Sequence, residues 1–258
     1  MADVHATAVV DPRAELAGDV VVGPYAVVGP GVQLGPGVEL SPHVHVTGNT
    51  KIGARTRIFP FASVGEEPMD KKFAGEVSQL EIGCDNVIRE HATLHVGTEK
   101  GGGVTRIGDD NLIMNGAHVA HDVQVGSHTI LASFSGCAGH VEVGDYAVLG
   151  AYTGVHQFAR VGESVMTAAN TMLAQDAPPF ALMAGDRARL AGINVVGLKR
   201  RGFPPETRRA IKHAYHVLFS SRLKVPTAIA RLREEGEEVP EVARLLRFLE
   251  TSERGIAR

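Results

Sequence analysis

A six-residue repeat limits what this chain can fold into more tightly than any other feature. Twenty-five hexads, nearly all opening with an aliphatic residue, run in three blocks from Val10 to Val64, Ile82 to Leu94 and Ile107 to Leu173. A small residue often follows the opener, as in Val22-Gly23, Leu34-Gly35, Ile52-Gly53 and Val125-Gly126. A period of six fits neither a helical face nor a hairpin series. It predicts a parallel β-helix in which each short strand points one aliphatic side chain inward and stacked coils share a continuous core. Cys137 and Thr167 are the weakest openers.

Composition agrees with that architecture. Glycine is abundant at 30 of 258 residues, which suits tight corners, and tryptophan is absent, which suits a narrow interior. Cys84 and Cys137 form no CxxC pair and imply no disulfide framework. Each is expected to be a buried free thiol. Met1-Ala2-Asp3-Val4-His5 carries no basic segment followed by an apolar run, and no stretch approaches the ~20 apolar residues of a membrane span. A cytoplasmic protein is expected, with no membrane span.

Charge divides unevenly. Residues 199–258 hold 14 Lys and Arg against 8 Asp and Glu, whereas the first 198 hold 12 against 21. The basic tail is either a solvated helical face or a docking surface for an acidic partner. Nucleic acid is not expected, because aromatic residues are not interleaved with the basic ones.

Two segments interrupt the repeat. Glu66–Glu76 is polar and reads as a loop leaving the coil. Lys100-Gly101-Gly102-Gly103-Val104-Thr105-Arg106 is glycine-rich and reads as a flexible excursion, since it matches neither a P-loop nor GxGxxG. The hexads end near Pro178-Pro179, and 180–203 reads as a connector. Helices are expected from Pro204-Pro205-Glu206 onward, over Pro226–Arg233 and over Pro240–Leu249. The expected division is a coil over 1–190 and a helical domain over 191–258 that covers the end of the solenoid.

The polar residues with the clearest chemical promise lie at 115–122, Asn-Gly-Ala-His-Val-Ala-His-Asp. If three hexads make one triangular turn, residues 18 apart stack. Gly139 then lies above His121, Gln157 above Gly139 and His140 above Asp122, one strand spacing of ~4.8 Å per turn, with His156 beside them. A histidine next to a carboxylate suits a general base, and a glycine one turn away lets its N–H reach a developing oxyanion. The same spacing also admits surface histidines with no chemistry, or a zinc site built from several histidines. No Ser or Cys has a convincing base beside it, so no covalent intermediate is expected.

The chain resembles the UDP-N-acetylglucosamine O-acyltransferases that begin lipid A synthesis. The resemblance is carried by Ala117-His118-Val119-Ala120-His121-Asp122, Ala138-Gly139-His140, Val155-His156-Gln157-Phe158, Ala174-Gln175-Asp176, Asn194 and Gly197-Leu198-Lys199-Arg200-Arg201-Gly202-Phe203. It runs from the first hexads to Arg254-Gly255-Ile256-Ala257-Arg258. The related N-acyltransferases carry an extra N-terminal domain, and none fits before Val10. The resemblance implies a mainly β protein, a left-handed parallel β-helix with a C-terminal α-helical domain, assembled as a homotrimer with active sites between subunits. It implies transfer of an (R)-3-hydroxyacyl chain from acyl carrier protein to the glucosamine 3-hydroxyl of UDP-N-acetylglucosamine, with no cofactor and no metal. His121 would be the base, Asp122 its orienting carboxylate and the Gly139 N–H the oxyanion donor. Asp70, Lys72, His118, His140 and Gln157 match substrate-binding positions. Asn194, Arg200 and Arg201 match positions that reach a neighbouring subunit's substrates, and Ala169 matches the position that ends the acyl groove. The basic tail would then meet the acidic carrier protein.

Three residues depart from the family pattern. Val196 stands where a Glu contacts the nucleoside, Arg187 replaces a His beside the acyl path, and Met69 replaces a Gln just before Asp70. Met69 raises the expectation of altered acceptor choice, with a 3-amino sugar analogue as the alternative. A zinc hydratase on the same solenoid and a non-catalytic sugar-nucleotide-binding solenoid are the other rivals.

Overall fold

The computed structural model describes residues 1–221, 223–235 and 239–258. Within the hexads most strands are two residues long, such as Val21–Val22, Val27–Val28 and Gln33–Leu34, with the opener second. Successive strands go to three different sheets of 11, 9 and 8 strands among the described residues. Each strand pairs in parallel with the strand one turn on, as Val21↔Glu39 and Val22↔Leu40. The result is a left-handed parallel β-helix of triangular section.

From Val22 on, each hexad places two residues inside rather than the single one expected. The opener is buried, and so is the residue four positions later: Val22 with Ala26, Leu40 with Val44, and Leu149 with Thr153. The second position holds small or medium residues, mostly Ala, Val, Thr or Ser, with Asn at 86 and 111. Between the two, the fourth residue turns the chain in the left-handed region, as Tyr25, His43, Asp122, His140 and Phe158 do at φ of 59 to 63°. Such a conformation is unusual for a residue with a Cβ. Here the hydrogen bonds of the flanking turns hold it, as His43 N donates to Pro24 O at 3.1 Å and His140 N to His121 O at 3.1 Å. Burial of each aliphatic opener contributes roughly 1.5–3 kcal/mol. Cys137 and Thr167, the weak openers, are fully buried all the same. Burial raises the Cys137 thiol to about 12. Cys84 is half-buried, contrary to expectation, because it is the third residue of its hexad and lies on an outer face.

The coil continues one strand past Pro178-Pro179. Ala181–Ala184 pairs in parallel with Met166–Thr167, and Arg189–Ile193 then returns antiparallel along it. Phe180 and Met183 plug the end of the triangle with no exposed surface. The segment read as a connector is therefore this hairpin followed by helix α1 (Val195–Arg200). The expected division at 190/191 falls within its second strand. Helices α2 (Pro205–Phe219), α3 (Val225–Glu234) and α4 (Pro240–Glu250) follow near the expected positions, each with proline in its first turn. Their buried stripes, Ile211, Ala214 and Leu218 on α2 with Leu245 and Leu249 on α4, extend the core of the coil into the helices. The closing residues return to the coil: Asp176 N donates to Gly255 O and Ala257 N to Asp176 O, both at 2.9 Å. No helix among the described residues is long and apolar enough to cross a membrane.

Of the two interruptions, 67–78 leaves the coil as a loop, as expected. The glycine-rich one does not form a flexible excursion. Thr98 caps a single 3₁₀ turn, Glu99–Gly101, and Val104–Ile107 is a full strand in parallel register with Gln79–Ile82.

Candidate active site

The turn-on-turn arithmetic places the polar cluster where the sequence puts it. His118–Val119 pairs in register with Gly136–Cys137, and that strand with Gly154–Val155. At the corner that follows each pair the fourth residue of the hexad turns the backbone, which brings His121 under Gly139 and Asp122 under His140. His140 and His121 meet edge to face, with centroids 5.1 Å apart, and Phe158 stacks on His140 at 4.4 Å.

His121 and Asp122 form a close pair. His121 Nδ1 lies 2.7 Å from Asp122 Oδ2, with 14% of the histidine side chain and 1% of the aspartate side chain exposed. A carboxylate so deeply buried needs donors. Asp122 receives two from Thr98: the backbone N–H reaches Oδ1 at 2.8 Å and the hydroxyl reaches Oδ2 at 2.6 Å. With Oδ2 accepting, His121 presents its proton at Nδ1 and turns Nε2 away from the carboxylate. That nitrogen faces Gly139. A Cβ on Gly139 would lie 2.7 Å from Nε2 and 2.6 Å from Cε1, so any other residue would drive the imidazole from its place. The Gly139 N–H has no acceptor among the described residues.

A groove of about 860 Å³ runs from this pair along the outer face of the sheet. His121 lines it, as does the row of residues in register from His118 through Gly136 and Gly154 to Met172. Gly139, Gln157, Met69 and Arg187 also line it. His118 Nδ1 is held by Thr93 Oγ1 at 2.8 Å. Burial, with His95 and His121 adding to it, keeps the His118 pKa below the ordinary histidine range. Burial lowers that of His140 too, against the opposing charge of Asp122. Asp122 and His140 open on an adjoining groove of about 640 Å³ on the other side of the corner. Asp70 lies close enough for its charge to act on His140, and Lys72 is exposed on the same loop.

Four expected residues lie apart from this cluster within the chain. Asn194 caps α1, accepting from Gly197 N and donating to Ser164 O, both at 2.9 Å. The Arg201 guanidinium bonds Ser164 Oγ and lies 3.7 Å from the Tyr146 ring centroid. Arg200 and Ala169 are exposed. The sequence reading missed three residues that the fold brings to the site: Thr98, Met172 and Arg254, which lines both grooves. Thr98 had a signal, a capping residue just before a short polar turn and a glycine run. Arg254 had none, because only the return of the tail to the coil places it there.

The arrangement suits proton removal from a bound hydroxyl at His121 Nε2, with an amide donor one turn away. By distance alone, His121, Asp122 and His140 also present ligand atoms within 4.8 Å of one another.

Comparison with known proteins adds to the geometry. Residues 176–257 match the family model described as UDP N-acetylglucosamine O-acyltransferase, domain 2, and residues 105–139 match the bacterial transferase hexapeptide model. Proteins named acyl-[acyl-carrier-protein]–UDP-N-acetylglucosamine O-acyltransferase are similar along the whole length. The one from Polynucleobacter asymbioticus is 55% identical and the one from Thermodesulfovibrio yellowstonii 43%, each covering 100% of both chains. The solved structure of LpxA from Acinetobacter baumannii superposes with a TM-score of 0.96 at 42% identity, covering 99% of both chains. The UDP-N-acetylglucosamine acyltransferase of Francisella novicida gives 0.96 at 40% identity, over 99% of this chain and 94% of that one.

Proposed function

The chain belongs to the UDP-N-acetylglucosamine O-acyltransferase family, and on that premise we propose how its residues divide the work. The reaction is acyl transfer from acyl carrier protein to UDP-N-acetylglucosamine, the first step of lipid A biosynthesis. His121 Nε2 removes the proton of the glucosamine 3-hydroxyl. The oxygen attacks the thioester carbonyl of the (R)-3-hydroxyacyl donor, and the Gly139 N–H receives the oxyanion. The C–S bond then breaks, the new ester forms, and the imidazolium returns its proton to the departing thiolate. Asp122 holds the ring with Nε2 toward the substrate and stabilises its charged form. The carrying observation is the His121–Asp122 contact of 2.7 Å under a glycine that no larger residue can replace.

His118, His140 and Gln157 surround the acceptor, and Asp70 and Lys72 approach it from the 67–78 loop. Asn194, Arg200 and Arg201, which lie away from His121 in the same chain, act on a neighbouring subunit's substrates in a homotrimer, and Ala169 sets acyl length from the same interface. The coil, 1–190, carries the chemistry. The basic helical domain, 191–258, receives the acidic carrier protein, and the enzyme works in the cytoplasm. Assay with UDP-N-acetylglucosamine and its 3-amino analogue tests acceptor choice at Met69. Equal or better turnover of the ordinary sugar removes the amino alternative. A zinc hydratase is the second reading, favoured by the spacing of His121, Asp122 and His140. Stoichiometric zinc in the purified protein, with hydration of carbon dioxide, would support it.

A further inference from the structure

We propose that Thr98 is the positioning residue of the His121–Asp122 pair, and that the glycine-rich break in the repeat exists to deliver it. The inference rests on the general-base reading above and extends it to the segment that fixes the base.

Asp122 sits at a corner with φ 60°, its side chain almost wholly out of solvent. A carboxylate on a single corner residue has rotational freedom about two side-chain bonds. Its neighbours remove that freedom. Thr98 meets both carboxylate oxygens, one with its amide and one with its hydroxyl, and so fixes the plane of the group. Thr105 Oγ1 accepts from the Asp122 N–H at 2.8 Å and anchors the backbone beneath it. Gly101 closes over the top, where a Cβ would overlap the carboxylate at 2.0 to 2.4 Å. Thr98 Oγ1 also accepts from Gly101 N at 3.3 Å, so the hydroxyl proton is directed at Asp122 rather than free to rotate.

The consequence reaches the reacting atom. Oδ2 accepts from both the Thr98 hydroxyl and His121 Nδ1. An acceptor fixed at that place selects the Nδ1–H tautomer of His121, the form whose Nε2 can take a proton. Without the hydroxyl, Oδ2 loses a donor and the carboxylate can turn, and the imidazole loses the contact that selects its tautomer. A continuous hexad would supply no such donor. Thr98 comes from the segment between Thr93–His95 and Val104–Ile107, where it caps the Glu99–Gly101 turn that interrupts the hexads.

The test uses Thr98→Val and Thr98→Ser in the full chain, each also combined with Asp122→Asn. We expect Thr98→Val to lower kcat about tenfold, the loss of one hydrogen bond to a charged group, with KM for both substrates unchanged. Thr98→Ser restores the rate. In the Asp122→Asn background Thr98→Val costs little more, because both changes remove the same interaction. Nitrogen-15 NMR of the His121 ring, which needs no turnover, should show the Nδ1–H tautomer in the wild type and a mixture in Thr98→Val. A full-sized loss that persists in the Asp122→Asn background, or an unchanged His121 spectrum in Thr98→Val, overturns the proposal. A wild type with no transfer activity but with the Nδ1–H signal lost in Thr98→Val would sink the reaction while sustaining the positioning role.

Discussion

At the scale of the residue, the site depends on what glycine omits and what burial prevents. Gly139→Ala places a methyl within 2.7 Å of His121 Nε2, so the ring must swing out, and the amide proposed above to receive the oxyanion shifts with it. The expected outcome is a fall in kcat of about 100-fold or more, with far-ultraviolet circular dichroism unchanged, since position 139 lies on an outer face. The lowered pKa values of His118 and His140 carry a stability prediction. Below about pH 6.5 the unfolded chain binds protons that these folded histidines resist. Their contribution is therefore intact above that pH and is lost as pH falls through the folded values. Urea unfolding between pH 7.5 and 5.5 should show stability declining with acidity, and less steeply in His118→Asn. Residue types and spacing made His121, Asp122, Gly139 and His140 legible, because an 18-residue turn converts sequence distance into contact. The same arithmetic could not give the direction in which each ring turns. That depends on Thr98 and on the Cβ missing from Gly139, which are facts of side-chain packing.

At the scale of the element, the hexads announced the coil, and the polar breaks between them were the ambiguous parts. A run of glycines reads as flexibility when nothing shows what it must pass. Here Gly101 is required because it passes the Asp122 carboxylate. The hairpin Ala181–Ile193 escaped notice for a different reason. Its second strand belongs to no repeat and pairs antiparallel, with a shift of register between Leu182 and Met183. The outer face of the sheet carries a specificity prediction. From His118 the register runs through Gly136 and Gly154 to Met172, whose sulfur lies 2.8 Å from where a Gly154 Cβ would stand. An apolar chain laid over the two glycines meets Met172, whereas Ala169 lies on an exposed corner outside that groove. Donors of graded length should show Met172→Ala shifting preference toward longer chains. A shift in Ala169→Gly as well would place the end of the groove at the subunit interface proposed above, and a shift in Met172→Ala alone would place it at Met172 and remove the role proposed for Ala169.

At the scale of the whole molecule, one chain brings His118, His121, Gly139 and Gln157 to one groove but leaves Asn194, Arg200 and Arg201 elsewhere. The trimer with shared sites proposed above would account for that separation. Sedimentation should give three times the 27.3 kDa chain mass. Mixing inactive His121→Ala subunits with inactive Arg200→Ala subunits should restore part of the activity, because some sites then draw an intact residue from each chain. The central claim is that His121 is the base of an acyl transfer, and the most direct measurement compares wild type and His121→Ala for transfer from (R)-3-hydroxyacyl carrier protein to UDP-N-acetylglucosamine, with the Kd of the sugar nucleotide measured beside it. The account predicts that transfer by the variant falls by at least about 100-fold while the Kd stays the same. A variant that keeps most of its rate, or that loses transfer only because it no longer binds the sugar nucleotide, would contradict it.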